Sequence, residues 1–284
     1  MNQITTEKEV NEGPFEAEVE MAYPTIKQGW GVIGLFILVA IGYGIPMGVL
    51  LVMEVDIYGD LLSLLNYIVP IVVLILITRI WWRKNPQNKG VLTLNTFPIV
   101  ILPVVVIMTL AFLLVNIEIT SWVPMPDWLL EIFKDAVKPN IWGFLTVAVA
   151  APILEEVLMR GIVLDGLLRN YSPWKAIVWS AVLFGALHLN PWQFVVGLLM
   201  GSALGYLYWK TKSLYLCIFI HFVNNSIGFY LMMSYPDMSN LSDLYELGTM
   251  SRVFIFLLAV FVIWQSYRFF EAYFNKQTSK SNLL

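Results

Sequence analysis

"FLTVAVAAPILEEVLMRGIVLDGLL", Phe144–Leu168, sets two adjacent carboxylates and a guanidinium (Glu155, Glu156 and Arg160) in the middle of an apolar run. A run of this length and character is long enough to cross a bilayer, which takes about 20 apolar residues. The whole chain shares the bias: 58% of its 284 residues are hydrophobic and only 13% are charged, where a soluble domain carries about a quarter. These numbers point to an all-α, polytopic membrane protein. The lone cysteine, Cys217, excludes an intrachain disulfide framework.

Eight spans are expected: Trp30–Met53, Leu61–Trp82, Phe97–Val115, Ile141–Leu167, Trp174–Leu189, Trp192–Trp209, Ser213–Met233 and Val253–Phe270. Between the third and fourth, Leu129, Ile132, Phe133 and Ala136 recur at helical spacing and predict a helix lying on the membrane surface. The resulting organisation is an acidic cytosolic tail over 1–28 and accessory spans plus the interfacial helix over 29–140. A core follows over 141–233, then an external loop, a last span and a cytosolic tail over 234–284. The first part is acidic, with Glu7, Glu9, Glu12, Glu16, Glu18 and Glu20 against Lys8 and Lys27, has no signal-peptide pattern, and is expected to be loosely held.

Charge sets the orientation. One series of loops holds Arg79, Arg83, Lys84, Lys89, Arg169, Lys175, Lys210 and Lys212, and the last segment adds Arg268, Lys276 and Lys280. The opposite series holds Glu54, Asp56, Asp60, Glu118, Asp127, Glu131, Asp135, Asp237, Asp243 and Glu246. The positive-inside rule makes the first series cytosolic, with both termini on that side of a plasma or inner membrane.

The ionisable residues left inside spans are Glu155, Glu156, Arg160, His188 and His221, with Asp165 near a cytosolic end. Such residues are costly in lipid and are functional candidates. Glu156 and Arg160, four apart with the acid first, suit a salt bridge of purely structural value. Glu155 points about 100° away from it. The fifth span carries "FGALH" ending at His188, and the seventh carries "HFVNN", in which His221 and Asn225 share a face. At 1.5 Å per residue His221 lies about 12 Å, His188 about 21 Å and Glu155 about 18 Å from the cytosolic ends of their spans. A carboxylate, two imidazoles and a carboxamide can therefore converge near mid-membrane. A glutamate kept from bulk water can act as general base toward a water molecule, aided by a histidine. A histidine and an asparagine can donate to the oxyanion of a tetrahedral intermediate. These are parts for amide hydrolysis.

Three ordered motifs, "EEVLMR", "FGALH" and "HFVNN", resemble the EExxxR, FxxxH and HxxxN signatures of the CPBP family of CAAX prenyl proteases type II and bacteriocin-processing or immunity proteins, also called Abi. The resemblance covers about Ile141 to Met233. It implies an intramembrane endopeptidase acting on a membrane-associated peptide or protein, with Glu155 and His188 activating water, His221 and Asn225 forming the oxyanion hole, and Glu156 and Arg160 as structural support.

Alternatives remain open. Glu155, His188 and His221 could ligate a catalytic zinc, although no HExxH, GxSxG or GxGD signature is present. Cys217 shares a helical face with His221 and Asn225, so a thiol mechanism stands beside the reading of a small buried packing residue. Buried Glu and His also serve proton-coupled transporters, and Pro152 is expected to kink the fourth span, but no internal repeat is visible. A non-proteolytic immunity or scaffold protein could keep the same residues. Gly197, Gly201 and Gly205, every fourth residue, suit close helix packing. No nucleic-acid partner is expected.

The charge segregation generates a test. In a Cys217→Ala background, a cysteine introduced at Lys276 should resist a membrane-impermeant thiol reagent applied to intact cells and react after permeabilisation. Strong labelling from outside would overturn the cytosolic placement of the terminus.

Overall fold

Among the described residues helices make up the regular structure, apart from one isolated antiparallel bridge between Leu94 and Ser213. The computed structural model describes residues 20–55, 59–88, 92, 94–123, 125–235 and 247–281, and the backbone alone at 132–136 and 278–281. The arm before Glu20, the loop residues Asp56, Asp237, Asp243 and Glu246, and Lys89 lie outside them.

Among the described residues five helices are long and apolar enough to cross a membrane: α1 (Ile26–Val52), α2 (Asp60–Lys84), the segment Ile99–Ser121 that contains α3 (Leu102–Ser121), α10 (Leu214–Ser234), and Thr249–Gln277 within α11 (Thr249–Ser281). The fold is that of an all-α membrane protein. The interfacial segment is helical as expected, forming α4 (Asp127–Ala136).

The three other expected spans are helical but short, interrupted or less apolar, so the count of eight is not established. α8 (Pro173–Leu187) has only 15 residues, about 22 Å of helix against a hydrocarbon core of about 30 Å. α9 (Pro191–Thr211) is longer, but its glycines, tyrosines and Lys210 dilute its apolar character. The run over 141–170 is α5 (Ile141–Phe144), a π-helical turn Leu145–Ala150, α6 (Ala151–Leu158), a second π turn Met159–Leu164, and α7 (Asp165–Asn170). Asn140 starts it by accepting from the N–H groups of Trp142 and Gly143 at 2.9 and 3.2 Å. Pro152 has no N–H to return to the turn before it, and its ring crowds the carbonyl four residues back. Widening of the preceding turn accommodates it, so the expected disturbance at Pro152 takes the form of a π turn.

Around this run sits one apolar core that includes Leu158, Leu164, Leu204, Leu207, Leu216 and Ile220, each at most 1% exposed. α8 and α9 form a tight hairpin. A Cβ on Gly185 would stand 2.7 Å from the Phe194 carbonyl oxygen, and one on Gly201 would stand 3.0 Å from the Ala181 Cα. The small residues let the backbones approach, which is the packing role their spacing suggested.

Two ends extend past their expected limits. Ala22 and Tyr23, within the stretch assigned to a loose tail, are buried. Asn170 Oδ1 accepts from the Ala22 N–H at 2.9 Å, and Asn88 Oδ1 accepts from the Tyr23 N–H at 3.2 Å. α11 continues beyond Phe270, where Glu271 accepts from Tyr206 Oη at 2.7 Å and pairs with Lys210 at 3.0 Å. At its other end Arg252 pairs with Glu118 of α3 at 2.9 Å.

Gly185→Ala should lower stability by about 1–3 kcal/mol, the cost of overpacking a tight contact, read as a fall in melting temperature in detergent. Gly228→Ala, where nothing lies within 4 Å of the added methyl, should leave it unchanged or slightly raised.

Candidate active site

α6 lies between the two π turns and carries Glu155 and Glu156. π turns rotate the residues that follow them relative to an unbroken α-helix, and they recur at functional sites. Here they set the directions of the two carboxylates and of Arg160, which lies in the second turn.

Glu156 and Arg160 are both fully buried. Arg160 Nη1 donates to Glu156 Oε1 at 2.9 Å, its Nη2 lies 3.4 Å from the Gly201 carbonyl, and its guanidinium stacks on Phe184 with Cζ 4.7 Å from the ring centroid. The expected ion pair is therefore present, but it has a third member. His221 Nδ1 lies 2.8 Å from the same Glu156 oxygen. A carboxylate already receiving a guanidinium is an acceptor, so Nδ1 carries the proton and donates it. His221 Nε2 is thereby directed to the other side of the ring, where Glu155 Oε2 lies 3.9 Å away.

Glu155 is held differently. Tyr67 Oη, from α2, donates to its Oε1 at 2.7 Å. Its Oε2 is buried and has no hydrogen-bond partner among the described residues. A buried carboxylate oxygen without a donor is costly, and this one faces the histidine.

His188 caps the C-terminus of α8 and its Nδ1 lies 3.0 Å from the Phe184 carbonyl. A carbonyl can only accept, so Nδ1 holds a proton and donates it, which leaves Nε2 as the acceptor of the neutral ring. Leu189 follows at φ 56°, and Asn190 then caps α9 while donating to the His188 carbonyl at 2.9 Å. Both imidazoles stand edge-on to the one Phe184 ring, with centroids 5.3 Å and 5.9 Å away for His188 and His221. Asn225 sits one turn beyond His221 and donates from Nδ2 to the Val147 carbonyl at 2.9 Å, in the first π turn.

Of the six residues named from the sequence, Glu156, Arg160 and His221 thus form a directly bonded group, and Glu155 stands beside it, 3.9 Å from His221 Nε2. His188 joins through Phe184, and Asn225 is anchored to the same helical run. Cys217 is fully buried with its thiol 3.6 Å from the Leu204 carbonyl, as a packing residue would be. Among the described residues no group of three or more His, Cys, Asp or Glu side chains could hold a metal ion. The alternative zinc set of Glu155, His188 and His221 is not drawn together as ligands. Tyr67 is the residue the sequence reading missed; its signal was the polar pair Asn66–Tyr67 inside an otherwise apolar span.

Residues 137–227 match the family described as type II CAAX prenyl endopeptidase, Rce1-like. All six motif residues fall inside the matched stretch, in agreement with the CPBP resemblance. The "Putative membrane peptidase YdiL" of Bacillus subtilis (strain 168) is 30% identical over 79 residues, 28% of this chain and 32% of that protein. The chain thus matches about a third of that relative's length. No solved structure matches the chain.

Glu156→Gln removes one partner of a buried ion pair and should cost about 3–5 kcal/mol, read as a large loss of melting temperature and of accumulated protein. Cys217→Ala should lower the melting temperature far less. Equal stability of Glu156→Gln and wild type would contradict the assignment of Glu156 as the anchor.

Proposed function

We propose that this chain is an intramembrane endopeptidase in which Glu155 and His188 activate a water molecule while His221 and Asn225 stabilise the oxyanion. The observation that carries the reading is the division between the adjacent glutamates. Each has one buried oxygen without a hydrogen-bond partner among the described residues. Glu156, however, is fully enclosed, with its other oxygen committed to Arg160 and His221, whereas the Glu155 side chain is 18% exposed and turns its free oxygen toward His221 Nε2. A base needs an acceptor atom that is within reach of the reacting water and not already occupied. Of the two carboxylates Glu155 meets that need.

The reaction then runs as a hydrolysis. Water oxygen attacks the scissile carbonyl carbon, and its proton passes to Glu155 Oε2, with the Nε2 lone pair of His188 as second acceptor. The carbonyl oxygen becomes an oxyanion that accepts from the spare N–H of the Asn225 amide, and from His221 Nε2 once that nitrogen carries a proton. The C–N bond breaks as Glu155 passes the proton it took from water to the leaving amine, which restores the carboxylate and leaves a carboxylic acid and an amine. Both termini are assigned to the cytosol and the substrate is a membrane-associated peptide or protein. Catalysis is of the glutamate type, with no metal required.

Membrane proteomes of cells carrying wild type and Glu155→Gln test this. A fragment produced only by wild type is expected. With that peptide as substrate, purified Glu155→Gln should keep its melting temperature and lose about 10³-fold or more in kcat, and Asn225→Ala about 10²–10³-fold, the scale of one oxyanion donor. Identical fragments from both cells would overturn the reading.

A further inference from the structure

We propose that Tyr67 is a positioning residue for Glu155, so that α2, which lies outside the stretch matched by the family model, completes the active site. The inference rests on the proposed role of Glu155 as the base. Tyr67 Oη donates to Glu155 Oε1 at 2.7 Å, the short distance of a hydrogen bond to an ionised acceptor. A carboxylate has two equivalent oxygens and its terminal torsion is broad. By holding Oε1, Tyr67 leaves Oε2 as the oxygen that faces His221 Nε2 at 3.9 Å. Without the hydroxyl either oxygen can turn to the reacting water, and neither is held at a working distance.

The placement of Tyr67 is itself secured. Asp60 and Tyr67 are seven residues apart, two turns of helix, so they share one face of α2. Asp60 Oδ1 accepts from Asn140 Nδ2 at 2.6 Å, where the run over 141–170 begins. Two bonds on one face therefore register α2 against the helical run that bears the glutamates. Leu74, a further seven residues along, is fully buried on the same stripe. On the neighbouring face Asn66 accepts from Tyr43 Oη of α1 at 2.8 Å, which ties α2 to α1 at the level of Tyr67.

Full-length protein in lipid nanodiscs tests the inference with two readouts. The infrared difference between wild type and Glu155→Gln isolates the Glu155 carboxylate stretch. Tyr67→Phe should shift that band, lower kcat by about 10- to 100-fold, the size of one hydrogen bond to a charged group, and leave KM and melting temperature at wild-type values. Tyr206→Phe, which loses a hydroxyl–carboxylate bond of the same length at Glu271, should change kcat less than about twofold on the same scale. If Tyr67→Phe keeps both the band and wild-type kcat while Glu155→Gln is inactive, the positioning role is wrong. If its kcat and melting temperature fall together with the band unmoved, the bond is merely structural and the inference is again overturned. If Glu155→Gln cleaves like wild type, the failure lies in the proposed function on which the inference stands.

Discussion

Glu156 Oε1 receives Arg160 from its own helix and His221 from α10, with no exposure to solvent. Removing a carboxylate and a guanidinium from water costs several kcal/mol for each ion, and the pair is tolerable only when geometry and further donors compensate. That constraint orders much of what surrounds it. Arg160 must find an aromatic face and a carbonyl, which Phe184 and Gly201 supply. Those partners lie on α8 and α9, so the hairpin has to come close enough to present them. Its small residues permit the approach, and Gly201, part of that stripe, is also the residue whose carbonyl faces the guanidinium.

The same oxygen separates the tasks of two side chains that are chemically identical and adjacent. By orienting His221 through Nδ1, Glu156 turns Nε2 toward Glu155. By absorbing the positive charge of Arg160, it leaves Glu155 with a neutral phenol as its hydrogen-bond donor. The π turns on either side of α6 accommodate this arrangement, because the first gives Asn225 a carbonyl at Val147 and the second contains Arg160. Under the proposed function, support and chemistry are neighbours on one short helix because the support aims the chemistry.

Much of this was legible in the sequence because it is local or periodic. The Glu156–Arg160 pair follows from four-residue spacing, and the helices from long apolar runs bounded by charged loops. The helix over Asp127–Ala136 follows from its amphipathic pattern. The depth arithmetic, which put Glu155 and His221 at similar levels, agrees with a cluster that joins α6 and α10. Contacts between distant parts of the chain were not legible. Nothing in the spacing says that Glu156 also takes His221, or that Tyr67 reaches Glu155 across 88 positions. The π turns escape a 3.6-residue period because each spans a single widened turn. The eight-span count went beyond what apolar length supports: α8 is apolar but short, and α9 is long enough but too polar.

The chain contains only two histidines, so protein labelled with ¹⁵N at histidine gives two ring systems and a direct view of the central interaction. The account predicts that both rings carry a proton on Nδ1, His221 toward Glu156 and His188 toward the Phe184 carbonyl. In Glu156→Gln, provided enough folded protein is recovered in detergent, the His221 Nδ1 resonance should move while that of His188 stays in place. A His221 ring protonated only at Nε2, or one indifferent to Glu156→Gln, would contradict the claim that this carboxylate holds and aims the site.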